Sequence, residues 1–250
     1  MEISDAYIDK LLKQIHSGEI NEMNLPFGLY RKICEHLLNG IEIGYNIEVP
    51  NQIDIALKEA FNHNINIFSG AKTFQYVLAN EGLLLNDDGK LRSWKEFKQD
   101  ARILFDKYNK HWLEAEYFTT VGQATEAKKW RGFEQQKHDF PLLEYVASID
   151  DKTSPICASK DGIVRRVDDP FWNGNKPLSH YRCRCLLVSH AYGDVEISHN
   201  ISKVIPAEGI FAQDPTKTGQ IFDKSHPYFD IAGKYKAYAK KNFNLPFIEL

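Results

Sequence analysis

The chain has 250 residues, 43% hydrophobic and 12% aromatic, with a formal net charge of −3. Such a chain builds one large domain or two small ones around a proper core, which excludes a disordered protein. The charge balance excludes a nucleic-acid binder that works through overall positive potential. No run of eighteen apolar residues is present to span a membrane, and four cysteines are too few for a disulfide scaffold. The opening MEISDAYIDK carries acids and no apolar signal core, so a reducing cytoplasm is the expected setting.

In chain order, Ile3, Tyr7, Leu11 and Ile15 recur at helical spacing over residues 3–16, and Ser17-Gly18 ends that helix. Pro26 opens a second helix to about Leu38, with Tyr30, Ile33, Cys34 and Leu37 on one face and Asn39-Gly40 as its stop. Cys34 on that stripe reads as a packed core thiol. A third helix is predicted from Gln52 to Phe61. Residues 62–68 alternate as a short strand or extended link, and Ser69 caps a further helix to about Asn80. Asp87-Asp88-Gly89 is a turn.

Ser93 and Glu96 form a capping-box pattern. Behind it Phe97, Ala101, Leu104, Tyr108, Trp112, Ala115, Thr119 and Gly122 follow three-to-four spacing. This predicts a long amphipathic helix from Trp94 to about Phe133, broken near Gly122. The small residues Ala115, Thr119 and Gly122 would admit a partner helix closely. The stripe reads as core-facing in preference to a coiled-coil seam.

His138-Asp139-Phe140-Pro141 ends the helical part. Leu142 to Ile149 reads as a strand, with Leu143, Tyr145 and Ala147 on one side. Thr153-Ser154-Pro155 starts a short helix, with Ser or Thr as cap and Pro in the first turn, and Asp150 or Asp151 is a second expected cap. Asp161-Gly162 turns into a strand over Ile163 to Val167, and Arg184 to Ser189 is another. Together these make a small strand–helix–strand–loop–strand unit packed against the long helix. Beyond His190, Pro206, Gly209, Pro215, Gly219 and Pro227 break the chain repeatedly. A last helix is predicted from Ile231 to Phe243. Its Lys234, Lys236, Lys240 and Lys241 read first as a solvated face and second as a contact for nucleic acid or an acidic partner. Phe211, Phe222, Tyr228 and Phe229 in the loop-rich tail suit docking on a partner surface. The expected fold is α+β: a mainly helical N-terminal part with a long amphipathic helix, packed on a small β-containing unit, with an extended C-terminal tail. The segments divide as 1–66, 67–138, 139–191 and 192–250.

The chemistry concentrates between Asp150 and Val188. Cys157, His180, Cys183 and Cys185 form a C-x22-H-x2-C-x-C set. Thiolates and imidazole are the donors a tetrahedral structural zinc takes, and a small irregular unit gains folding free energy from such a clip. A reduced thiol cluster and a disulfide from Cys157 to Cys183 or Cys185 are the alternatives. A Cys–His nucleophile would need one thiol activated beside His180. The acidic pairs Asp150-Asp151 and Asp168-Asp169 could hold a divalent metal in a nuclease or toxin-type enzyme. Asp169 reads more simply as the start of the Pro170 turn. Gly-rich phosphate loops, G-x-S-x-G and H-E-x-x-H are absent from the sequence. Phe171 and Trp172 read as anchors that tie the loop to the core, and Arg182 and Arg184 as partners for the acids.

The order Asp150 or Asp151, Thr153, Cys157, Gly162, Asp169-Pro170-Phe171-Trp172, Pro177 and Cys183-Arg184-Cys185 before a strand resembles the C-terminal domain of phage Mu F-like head morphogenesis proteins. The resemblance is strongest from Leu142 to Val188 and extends back through the long helix to Ile67. It implies a non-enzymatic minor head protein of a tailed bacteriophage or prophage. Such a protein is assembled in the host cytoplasm into the virion, at or near the portal vertex, with a link to DNA packaging or ejection. Portal and capsid proteins are the implied partners, and no membrane is. Many members carry a second thiol three residues before the Cys157 position. Ser154 stands there in this chain, which leaves His180 to complete a ligand set. The related domain also occurs fused to bacterial polymorphic toxins, though no toxin-sized extension is expected here.

Overall fold

The computed structural model describes residues 3–180, 183–207 and 209–235. Helix α1 spans Asp5–His16, α2 Phe27–Gly44, α3 Gln52–Glu81 and α4 Trp94–Asp106. A π-helical segment, Lys107–Trp112, joins α4 to α5, Leu113–Gln136. Then come β1 (Leu142–Val146), the one-turn α6 (Pro155–Ala158), β2 (Val164–Arg166) and β3 (Leu186–His190). The short α7 is Pro215–Thr218. The architecture is α+β, as the sequence predicts. Among the described residues no helix is long and apolar enough to cross a membrane.

The chain divides into two compact units. The first holds residues 1–39, 63–117 and 227–250, and the second 40–62 and 118–226. In the first, Ser4 caps α1 by accepting from the Tyr7 N–H, and α1 lies along α4. Asp9 accepts from Lys98 at 2.7 Å and from Arg102 at 2.6 Å, so ion pairs rim the apolar seam of Ile8, Leu12, Phe97 and Ala101. The Ser93–Glu96 capping box is present. In the second unit β1 is the central strand of an antiparallel sheet, order β2-β1-β3, with Leu143 opposite Arg165 and Ser189. Leu143, Tyr145 and Leu187 face one way, and a core forms on that side with Trp130 of α5, Val167, Phe171 and Trp172. The expected packing of the small β-containing unit on the long helix is therefore found.

Helix α2 does not stop at Asn39-Gly40. A Cβ on Gly40 would lie 3.1 Å from Thr120 Cγ2, and one on Gly44 only 2.5 Å from the Val121 carbonyl oxygen. These glycines are contact residues that let α2 approach α5, while Gly122 faces the Leu178 side chain and not a helix. Residues 62–68 are neither strand nor link. Leu57, Phe61, Ile65 and Phe68 are buried at three-to-four spacing, and this apolar row carries α3 straight through. Ser69 is accordingly interior and caps nothing.

The long helix deviates at the π segment and not at Gly122. Its buried row runs Phe97, Ala101, Phe105, Asn109, Leu113, in steps of four, in place of the expected Leu104, Tyr108 and Trp112. Steps of four drift around an α-helix of 3.6 residues per turn, and one wider turn restores the row to the core. Two of the four tail aromatics also differ from expectation. Phe222 and Tyr228 are buried against their own units and offer no free docking surface. The terminal helix expected from Ile231 to Phe243 falls largely outside the described residues, as do Arg182, Lys236, Lys240 and Lys241.

Candidate metal centre

Three features of the second unit bring the thiols and the imidazole together. Ser154 caps α6 by accepting from the Cys157 N–H, and Pro155 occupies the first turn, which fixes Cys157 on the buried side. Asp150 is not the cap. It accepts from the Lys152 N–H at 2.9 Å and from Arg184 at 2.7 Å, and so shapes the turn ahead of the helix. The Arg184 guanidinium holds its carboxyl well below the usual carboxylate range. The second feature is Leu178, the one non-glycine residue described with positive φ, at 65°. That conformation is costly for a branched residue. Leu178 takes it up with its side chain over Gly122 of α5, where a Cβ would come within 3.0 Å of Leu178 Cδ1. The resulting turn delivers Ser179 inward and His180 toward Cys157. The third is the core itself. Asp169 caps the short 3-10 turn Pro170–Trp172, and the Trp172 indole N–H donates to the Arg166 carbonyl at 2.7 Å. Both aromatics are anchors, as expected.

The sulfur of Cys157 lies 3.1 Å from His180 Nε2 and 3.6 Å from Cys183 Sγ, and the three donor atoms all fall within 4.8 Å of one another. Zinc bonds of about 2.3 Å to sulfur and about 2.0 Å to nitrogen give tetrahedral edges of about 3.8 Å between sulfurs and about 3.5 Å between sulfur and nitrogen. The two pairs made by Cys157 lie close to those edges, so the donor set fits a zinc ion. Cys185 is half-buried, packs on the same core and lines the same 490 Å³ cavity as Cys157, His180 and Arg184. All four cysteines are free thiols.

The cluster favours a thiolate. Hydrogen bonds from Cys183 and then Cys185 push the Cys157 thiol down, against burial. The same bond to Cys157 pushes Cys183 up. The Tyr145 hydroxyl donates to Cys157 Sγ at 3.6 Å, and burial first, with the thiols second, raises that phenol. Lys160 is fully buried beside them, its Nζ donating to Ser179 Oγ at 2.8 Å. Burial pushes its ammonium down to about 8, while the three thiols pull the other way.

The acidic pairs do not converge on this centre. Asp168 pairs with Arg166 at 2.9 Å and Asp169 with Arg165 at 2.6 Å. Among the described residues, Cys157, His180 and Cys183 are the one set of three or more ligand side chains gathered at metal-binding distance. Sequence reasoning did not single out Lys160, Leu178 or Ser179. A lysine next to an Asp-Gly turn reads as exposed, and nothing local marks a leucine for positive φ.

Residues 69–188 match the family described as Phage Mu protein F like protein. A candidate capsid assembly protein, protein F of Escherichia phage Mu, is 29% identical over 96 residues, covering 36% of this chain. The chain spans 22% of the length of that relative. No solved structure matches it. Residues 69–188, which run from within α3 past Cys183-Arg184-Cys185 into β3, are the part of this chain that is similar to the Phage Mu F-like family.

Proposed function

We propose that the chain is a structural, non-enzymatic component of the head of a tailed bacteriophage or prophage, a minor head protein acting at or near the portal vertex. It is assembled in the host cytoplasm and retained in the virion, with portal and capsid subunits as partners. The observation that carries this reading is the match of residues 69–188, which takes in β1, β2 and the clasp and ends within β3, to the F-like family. The structure supports the non-enzymatic part. Asp150, Asp168 and Asp169, which a nuclease or toxin-type enzyme would need, are each held by an arginine, and the Cys/His cluster closes a turn.

In this reading Cys157, His180, Cys183 and Cys185 hold one structural zinc ion that ties α6 and the Leu178 turn to the segment entering β3. The ion would supply cross-linking, with no reaction attached. Elemental analysis of the purified protein should find one equivalent of zinc, lost in Cys157→Ser. Zinc-free wild-type protein with unchanged stability would remove the metal from the reading.

For the assembly role, the protein should sediment with gradient-purified heads that contain portal, and its deletion should leave heads unfilled or misassembled. Heads that lack the protein and package DNA normally without it would refute the role. A contact with packaged DNA through Lys234, Lys236, Lys240 and Lys241 is the finer part. It predicts binding that weakens steeply with salt and is lost when these four lysines become glutamines.

A further inference from the structure

We infer that Lys160 is the buried counter-charge of a three-thiolate metal centre, and that its presence selects Cys185 as the third sulfur ligand beside Cys157, Cys183 and His180. This rests on the metal reading above. Lys160 is 0% exposed, and no carboxylate pairs with it among the described residues. Lys72, also fully buried, and the half-buried Lys176 do have such partners. Lys72 pairs with Glu116 at 2.9 Å, and Lys176 with Asp214 at 2.6 Å. An isolated ammonium in a protein interior is costly unless an opposite charge compensates it. Lys160 lies one turn beyond Cys157, its N–H donating to the Cys157 carbonyl at 3.0 Å, and the thiols of this cluster are groups beside it that can carry negative charge. Its Nζ is held in place by Ser179 Oγ, whose own hydroxyl donates to the Lys176 carbonyl at 3.1 Å, so the cation has a built seat one residue from His180.

The charges then decide the ligand set. A divalent ion with two thiolates and a neutral imidazole is neutral, and Lys160 would be left as an uncompensated buried cation. With Cys185 as a third thiolate the centre carries one net negative charge, and Lys160 cancels it. Tyr145 links the two, its ring 5.8 Å from Lys160 Nζ and its hydroxyl donating to Cys157 Sγ at 3.6 Å.

The test is a four-variant cycle read by cobalt(II) titration, with absorption from sulfur-to-cobalt charge transfer reporting the thiolate ligands. Wild type should bind one cobalt with a spectrum of three sulfur ligands, and Cys185→Ser should lose one of them. Lys160→Gln keeps a donor for Ser179 and drops the charge. It should weaken cobalt binding by about 10- to 100-fold, the range of outer-shell substitutions at metal sites. Lys160→Arg, which keeps the charge, should recover part of that loss. In the Cys185→Ser background, Lys160→Gln should no longer weaken binding, because the charge it balanced is gone. An equal loss in both backgrounds means that the lysine acts through packing, and it overturns the inference. So does a two-sulfur spectrum in wild type, or unchanged affinity in Lys160→Gln. A wild-type protein that binds no cobalt or zinc fails at the earlier step and refutes the metal reading itself. If Lys160→Gln does not fold, Lys160→Met takes its place in the same cycle.

Discussion

Removing Lys72 should expose how the first unit tolerates a charge pair at its centre. Lys72 on α3 is fully buried, and the Glu116 side chain is 5% exposed. The ammonium lies 2.9 Å from Glu116 Oε1 and 3.2 Å from the Tyr228 hydroxyl, and 4.9 Å from the centroid of the Tyr228 ring. Burial drives the lysine down and the glutamate up, and each opposes the shift of the other. Lys72→Met therefore leaves a carboxylate without its cation in a dry site, which costs about 3–5 kcal/mol. Replacing both, as Lys72→Met with Glu116→Leu, should return stability to within about 1 kcal/mol of wild type or above it, because neither charge then has to leave water.

The single variant also carries a pH signature. In Lys72→Met the folded-state pKa of Glu116 stands above its ordinary 4.5 by burial, now without the lysine to oppose it. The folded state then keeps a proton that the unfolded state releases. Stability should fall by about 1.4 kcal/mol per pH unit as the pH rises above the ordinary value, until the folded pKa is reached. Urea unfolding followed by tryptophan fluorescence at several pH values measures both effects, with the m-value checked for constancy. A single-variant cost under about 1 kcal/mol, or a double variant that costs the sum of its singles, would refute this account of the pair.

Other substitutions separate contact from propensity. Gly44→Ala drives a methyl to 2.5 Å from a backbone oxygen and should destabilise by about 1–3 kcal/mol or more, whereas Gly132→Ala, on α5, meets nothing within 4 Å and should stabilise by about 0.5–1 kcal/mol. Equal effects at both sites, in the same urea assay, would contradict the packing of α2 on α5. Trp172→Ala should cost about 3–5 kcal/mol, since the indole is 1% exposed and supports the face that carries Cys157. Glu81 is pushed up to about 7 by burial and then by the Glu22 side chain, against the Glu22 N–H that it accepts at 2.7 Å. The folded state therefore holds an extra proton between pH 4.5 and about 7, so stability should decline as pH rises through that window, and Glu81→Gln should flatten the decline. A wild-type profile already flat there would dismiss the shift.

Short-range chemistry was legible in the sequence. Ser93 with Glu96, Ser154 ahead of Pro155, Asp169 ahead of Pro170 and Asp161-Gly162 each form the cap or turn that their residue types dictate, because those bonds close within two to four residues. The same holds for the alternation of Leu143, Tyr145 and Ala147. What the sequence left open depended on partners distant along the chain. Gly40 looked like a helix stop because nothing local reveals that Thr120 packs against it. Residues 62–68 alternate like a strand, yet buried Phe61, Ile65 and Phe68 hold them in a helix.

At the centre the division is sharper. The sequence determined which donors are available. Only the fold decided that Cys157, His180 and Cys183 meet, through a leucine held in a left-handed turn over Gly122, and that Lys160 is buried beside them. Donor identity is a property of single residues, while distance and burial are properties of how α5, α6 and the sheet pack.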